Sequence, residues 1–299
     1  MESIRLLAWA KINLCLEVLG RRDDGYHEIA TVFQSIMLGD ELLIETSDEP
    51  GIRLSVPDGG APEGPENLCW QAVESYRSLS GWPEGVSIEL RKHIPVGAGL
   101  GGGSSDAAAV LRALEQLDPD PPAFEALGRA AAKLGSDVRF CLLGGTALGR
   151  GRGEKLTEFM MTPACGVCVV TPDLAVSTAE AYGMLTPDDF TSGAKALRLA
   201  NFVSTAKPLR DWAQLVFNGF AEPLTRRWPV FGELKARLRD LGAMAAEVSG
   251  SGSAVFGLFE DADDSDEAAA ELAREGRWAR SVMCTAAGSL PIERNGVDL

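Results

Sequence analysis

The residues with the clearest chemical meaning lie at 95–109, Pro-Val-Gly-Ala-Gly-Leu-Gly-Gly-Gly-Ser-Ser-Asp-Ala-Ala-Ala. Five glycines fall within seven positions (Gly97, Gly99, Gly101, Gly102 and Gly103). Without a Cβ they leave the backbone free to turn through positive φ and to approach a ligand closely. Ser104, Ser105 and Asp106 then open an Ala-rich run whose apolar residues (Ala107, Val110, Leu111, Leu114, Leu117) recur at helical spacing. A glycine loop that feeds a helix presents unpaired N–H groups and the positive end of the helix dipole, which suits an anion. The alternating stretch 86–90 ahead of it reads as a strand, so the order is strand, glycine loop, helix. A phosphate is the guest this arrangement favours.

Other glycine loops differ in detail. Gly97-x-Gly99-x-x-Gly102 matches the dinucleotide fingerprint in form, but that loop follows the first strand of its domain at once. Here about ninety residues precede it, and Asp118 and Asp120, the acidic residues beyond it, sit in a Pro-rich break. A Walker loop ends in Gly-Lys-Ser/Thr, and no lysine follows Gly103. A plain glycine turn before a Ser-capped helix is the bland alternative.

Other positions could complete such a site. Asp137 follows the helix stop at Gly135 and stands before an apolar run. It is either a helix cap or a carboxylate beside the phosphate loop that can take a proton from a hydroxyl. Lys11 and Asn13 share one face of the first strand, where a solvated face would account for both. Asp24-Gly25 is a hairpin signal that brings Tyr26 and His27 to the mouth of a turn. Arg150 and Arg152, in a Gly/Arg-rich connection over 146–154, are a solvated turn or a phosphate-facing pair. Ser249-Gly-Ser-Gly-Ser253 is a second place where backbone can come close to a partner. Cys165-Gly-Val-Cys168 has metal spacing, but with no second Cys pair nearby and only His27 and His93 in the chain, it reads as buried strand.

These residues need a sizeable scaffold to hold them. The chain has 299 residues, 45% of them hydrophobic, enough for two domains, divided here as 1–158 and 159–299. A net charge of −15 leaves no basic stripe for nucleic acid. No apolar run is long enough to span a membrane, and six scattered cysteines without a signal peptide point to a reducing cytoplasm. The periodicities predict strands over 7–19, 26–36, 41–46, 52–56 and 86–90, and helices over 67–79, 104–117 and 123–134. The second half is expected to hold a strand over 166–171, a helix from Ser177 and irregular chain to about Lys207. Helices near 209–217 and 231–241, a strand after the Ser/Gly turn, a helix near 265–275 and a strand near 278–284 follow. Helices on one face of such strands make this half α+β and ferredoxin-like.

Ala10-Lys-Ile-Asn-Leu with Asp24-Gly-Tyr-His27, the loop Pro95 to Ser105, and Ser249 to Ser253, in that order, resemble the GHMP small-molecule kinases. The match runs over nearly the whole chain. The resemblance implies an α+β enzyme of two domains, an N-terminal one like ribosomal protein S5 domain 2, with a βαβ unit, and a ferredoxin-like C-terminal one. ATP, with Mg²⁺, and a small-molecule acceptor would then bind between them. By that resemblance Asp137 is the catalytic aspartate and Lys11 its partner. Pro95, Gly97, Gly99, Leu100, Gly101, Gly102, Gly103, Ser104 and Ser105 surround the ATP phosphates, with Asn67 and Lys92 near the nucleotide. The Asp-Gly-Tyr-His motif points to the branch whose acceptor is a cytidine diphosphate methylerythritol, contacted by Asn13, Tyr26, His27, Thr178 and Tyr182. Homoserine, mevalonate or sugar acceptors are the alternatives within the superfamily. Three positions depart from the pattern: Arg139 where proline is usual, Val248 where methionine is common, and Asn218-Gly219 in place of Asn-Asp.

Overall fold

The computed structural model describes residues 2–205 and 207–299. The chain begins with two long antiparallel strands, β1 (Ser3–Arg21) and β2 (His27–Ser47), joined by the expected tight turn. β3 (Gly51–Ser55), α1 (Leu68–Ser80) and β4 (Gly85–Arg91) follow, and β3 and β4 pair in parallel across α1 as a βαβ unit. Asn67 caps α1 by accepting the Cys69 N–H at 2.9 Å, and Gly81 ends it at φ 77°. α2 (Gly102–Leu117) starts two residues before the serines that open the expected helix. After α3 (Phe124–Leu134) and α4 (Val138–Leu143) come β5 (Thr146–Gly151) and β6 (Lys155–Phe159), an antiparallel hairpin. The Gly/Arg-rich connection is therefore largely strand. At Gly149 a Cβ would lie 2.7 Å from the Phe33 ring, so close packing explains a glycine there.

The second half supplies β7 (Gly166–Thr171), α5 (Thr178–Gly183), α6 (Ala194–Val203), α7 (Leu209–Trp212), β8 (Phe217–Asn218), α8 (Ala221–Arg227) and α9 (Val230–Asp240). β9 (Ala245–Val248), β10 (Val255–Phe259), α10 (Ala262–Arg274), β11 (Trp278–Thr285), β12 (Ser289–Arg294) and β13 (Val297–Asp298) complete it. The order β11-β7-β10-β9, all antiparallel, is the ferredoxin-like arrangement. Three details differ from the sequence expectation. α6 replaces irregular chain, the helix begun at Leu209 stops at Trp212 and gives way to β8, and α8 and the terminal β12–β13 hairpin are additional. α6 lacks a cap of its own; Glu17 of β1 supplies it, accepting the Ala196 N–H at 2.8 Å.

β2 is the spine of the first sheet. It pairs with β1 on one side and with β5, β11 and β4 in succession on the other. Beyond residue 159 the chain builds the second sheet and returns twice to β1, as β8 and as β12. These two strands close much of the free edge of β1, and α2 and α6 pack on it, so Lys11, Asn13 and Glu17 are 3%, 2% and 1% exposed. The solvated face that would have explained Lys11 and Asn13 does not exist. Three buried positions for polar side chains in a central strand call for specific partners.

Candidate active site

A cleft of about 930 Å³ is lined by all but one of the catalytic, ATP-site and acceptor-site residues that the resemblance implies. The exception is Ser105, expected beside the phosphates. It is 1% exposed, and its hydroxyl donates to the Trp9 carbonyl at 2.6 Å, which ties α2 to β1.

The glycine loop docks on the open edge of β1, where the Lys11 N–H donates to the Leu100 carbonyl at 2.9 Å. Gly101, at φ 73°, is the N-cap of α2 and offers no side-chain cap. The first-turn N–H groups of Gly102, Gly103 and Ser104 thus open onto the cleft, a ready anion site. Gly99 answers a different need. At φ 74°, its Cβ would collide with the Ser249 carbonyl and lie 2.8 Å from that of Gly252. Its own carbonyl accepts from Ser249 Oγ at 3.0 Å. The two glycine-rich turns noted in the sequence are therefore packed on one another. Asn218 pins the second, donating to the Val248 and Gly250 carbonyls at 2.8 and 2.7 Å and accepting from Phe220 N–H.

Lys11 joins the glycine loop to Asp137. Its ammonium donates to Asn13 Oδ1 at 2.8 Å and to the Gly99 carbonyl at 2.9 Å, and lies 3.3 Å from Asp137 Oδ2. Asn13 in turn donates to Thr31 Oγ1 at 2.8 Å. Asp137 occupies the N-cap position of α4 but makes no capping hydrogen bond there, which removes the cap as its explanation. α4 forms without a proline; Arg139 instead donates to the Glu154 carbonyl at 3.2 Å. Val248 fills a fully buried core position.

The arm of the cleft that holds Asn67 and Lys92 contains a cluster absent from the sequence expectations. Lys92 donates to Asp40 and, at 2.6 Å, to Asp106 Oδ2; Asp40 Oδ1 also accepts the Ile94 N–H at 2.8 Å. Burial pushes the Asp106 carboxyl well up, with Lys92 opposing and Asp40 adding to the rise. Burial works to lower Lys92, but the two carboxylates outweigh it and its ammonium titrates above the usual lysine value. Asn67 has both ends of its amide engaged, with Cys69 N–H and the Pro62 carbonyl. Its place in this arm is fixed by α1.

At the other end are aromatic rings. His27 stacks on Tyr182 with centroids 4.6 Å apart, and Phe190 and Phe220, absent from the sequence analysis, pack edge-on against His27 and Tyr182. Burial, helped by the Arg21 charge, holds the His27 imidazole below its ordinary value of 6.5. Burial and then the Asp137 charge push the Tyr182 phenol up to about 12. Thr178 Oγ1 lies within hydrogen-bond distance of Ser251 Oγ, at 3.1 Å.

Other candidates resolve into structure. Asp118 accepts from the buried Tyr76 hydroxyl at 3.1 Å at the end of α2, so it is not a ribose-binding carboxylate. Cys165 and Cys168 are buried in different hydrophobic clusters on opposite sides of β7. Among the described residues no group of three or more His, Cys, Asp and Glu could hold a metal, and no helix is long and apolar enough to cross a membrane.

Comparison with known proteins bears on the whole chain. Residues 67–145 match the GHMP kinases N terminal domain and residues 195–277 the GHMP kinases C terminal domain. A 4-diphosphocytidyl-2-C-methyl-D-erythritol kinase of Citrifermentans bemidjiense is 41% identical, over 95% of this chain and 100% of its own length. The protein of that name from Pelotomaculum thermopropionicum is 42% identical, over 91% of this chain and 94% of its own length. A crystal structure of a 4-(cytidine 5'-diphospho)-2C-methyl-D-erythritol kinase superposes with a TM-score of 0.81 at 38% identity, covering 94% of this chain and 99% of that one. Homoserine kinase from Cytophaga hutchinsonii, at 20% identity and TM-score 0.74, covering 97% of each chain, shares the fold.

Proposed function

The chain belongs to the GHMP kinases, in the 4-diphosphocytidyl-2-C-methyl-D-erythritol kinase family, and from that premise we propose the reaction it carries out. It transfers the γ-phosphoryl group of ATP to the 2-hydroxyl of 4-diphosphocytidyl-2-C-methyl-D-erythritol. The products are the 2-phosphate and ADP, on the non-mevalonate route to isoprenoid precursors. The observation that carries this reading is the 3.3 Å Lys11–Asp137 pair, in one cleft with the first turn of α2 and the His27–Tyr182 stack.

Phosphoryl transfer asks the protein for positioning and charge stabilisation more than for covalent help. The N–H groups of Gly102, Gly103 and Ser104 hold the phosphates of the donor, with Asn67 and Lys92 toward its base. Asp137 accepts the proton of the acceptor hydroxyl as that oxygen bonds to the γ-phosphorus. The bond from phosphorus to the β,γ-bridging oxygen breaks, and ADP leaves with the electron pair. Lys11 keeps Asp137 ionised and offsets negative charge near the transferred group. Tyr26, His27, Asn13, Thr178 and Tyr182 seat the cytidine diphosphate portion, and the neutral His27 ring can accept a hydrogen bond from the base.

The donor set suits Mg²⁺ brought in on ATP: one or two protein oxygens, here Asp137 and the Ser104 hydroxyl, together with phosphates and waters, and no protein cage. Bound there, the ion would neutralise charge on the phosphate oxygens. Six free, buried thiols support placement in the cytoplasm, and neither a nucleic acid nor an obligate protein partner enters the reading.

The test is a coupled ADP-release assay with the cytidine diphosphate methylerythritol acceptor beside homoserine and mevalonate. Release with the first acceptor alone is expected. Asp137→Asn should lower kcat by about 10²–10⁴-fold with ATP affinity nearly unchanged. Equal turnover of all three acceptors, or near-normal turnover by the variant, would sink the reading.

A further inference from the structure

Asn218 is 2% exposed, and its whole amide is engaged by the protein. The NH₂ group donates to the Val248 carbonyl at 2.8 Å and to the Gly250 carbonyl at 2.7 Å, while Oδ1 accepts the Phe220 N–H at 2.8 Å. A flipped amide would set an oxygen against two carbonyls, so the surroundings fix its orientation. Pairing of β8 with β1, and the Gly219 N–H on the Leu16 carbonyl at 2.9 Å, hold the backbone that carries it. The three bonds reach two different parts of the cleft. Val248 and Gly250 flank Ser249 at the start of the second glycine-rich turn. That turn meets the glycine loop twice, through Ser249 Oγ on the Gly99 carbonyl at 3.0 Å and the Ala254 N–H on the Ala98 carbonyl at 2.9 Å. The contact has no slack, since a Cβ on Gly250 would lie 3.0 Å from the Gly99 oxygen and 3.2 Å from Lys11 Nζ. Phe220 belongs to the aromatic end. Its ring packs edge-on against Tyr182 with centroids 4.8 Å apart, and Tyr182 stacks on His27.

We infer that Asn218 is a positioning residue of the transfer reaction: one amide holds the turn that seats the donor loop and the residue that backs the acceptor's aromatic seat, and so fixes their separation. The inference rests on the proposed function. Transfer tolerates little error in the distance between the attacking oxygen and the γ-phosphorus, and a misplacement of about 1 Å can cost about 10²-fold in rate. Two converging carbonyls and one N–H ask for two donors and an acceptor on one short side chain. Asparagine supplies all three, whereas serine has a single donor and aspartate, when ionised, none.

The test is steady-state kinetics on the full chain with ATP and the cytidine diphosphate methylerythritol acceptor, each varied at saturation of the other. Asn218→Ala should raise KM for both substrates by about 5–30-fold, the effect of losing buried hydrogen bonds, and lower kcat by about 10–100-fold. Phe220→Leu should raise KM for the acceptor alone, and Ser249→Ala that for ATP alone, by about 3–10-fold. Asn218→Ser, which keeps one donor and one acceptor, should fall between wild type and Asn218→Ala in all three constants, and serves if the alanine variant does not fold. A purely structural role lowers the melting temperature and the fraction of active enzyme and leaves both KM values in place. That pattern overturns the inference, as does a shift in one KM only, or failure of both Asn218 variants to fold. If wild type turns the acceptor over and the Asn218 variants give any of these results, the role of Asn218 alone fails. If wild type does not act on that acceptor, the proposed function fails and the inference with it.

Discussion

Lys11 has three ammonium protons and three partners for them: Asn13 Oδ1, the Gly99 carbonyl and Asp137 Oδ2. A lysine so committed, and 3% exposed, serves as the junction between loop and carboxylate. Lys11→Met should therefore do two things. Turnover should fall by about 10²–10³-fold as Asp137 loses its counter-charge. The buried Asn13 Oδ1, left without its donor, should also cost about 1–3 kcal/mol in a denaturant titration, whereas the Gly99 carbonyl keeps Ser249 Oγ. Asp137→Asn should show the kinetic loss with little of the second effect. His27 makes a pH prediction. Its imidazole titrates below 6.5 because burial and the Arg21 charge disfavour the cation, so the ring is neutral at pH 7. KM for the acceptor should be flat from about pH 8 to 6.5 and rise as the pH falls through the depressed value. A His27→Gln variant should lack that rise. An acid limb of equal size in the variant would remove His27 as its source.

At the scale of elements, the strand–loop–helix order around 86–117 was legible because glycine clusters and helical periodicity are local signals. The reason for Gly99 was not, since its partner Ser249 is 150 residues away. The same holds for α6, which the sequence made irregular because its cap comes from Glu17, 179 residues distant. Lys11 and Asn13 could be placed on one face of β1, but not in a buried core, because neither the packing of α6 on β1 nor the return of β8 and β12 to its edge could be foreseen. The Asp40–Lys92–Asp106 cluster likewise joins three elements. Asn218, set aside in sequence as part of an atypical pair, turns out to hold the turn that packs on the glycine loop. Gly97 and Gly99 separate the two reasons for a glycine. Both have positive φ, but a Cβ on Gly97 meets nothing within 4 Å, whereas one on Gly99 collides with the second turn. Gly97→Ala should cost about 1 kcal/mol of backbone strain and leave the packing of the two turns intact. Gly99→Ala should cost more than that and weaken ATP binding, since the loop must lift from its seat. Equal thermal shifts for the two would show that the packing of the turns contributes little.

At the scale of the whole molecule, a chain of net charge −15 binds two polyanionic ligands with Lys11 and Lys92, two of the three lysine and arginine side chains in its cleft, neutralised internally. Attraction at close range then falls to the first turn of α2 and to the third, Arg152, whereas the field beyond the cleft opposes approach. Salt acts on these two terms differently. At about 0.15 M the Debye length is roughly 8 Å, enough to screen the distant carboxylates while leaving contacts inside a partly closed cleft less affected. The association rate of a fluorescent ATP analogue, followed by stopped flow, should therefore rise as KCl is increased from about 10 to 150 mM. Enzymes that draw in anionic substrates with a basic rim show the opposite slope. A rate that falls with salt would mean that the acidic residues lie too far from the approach path to matter, and that the local field at the cleft mouth is positive.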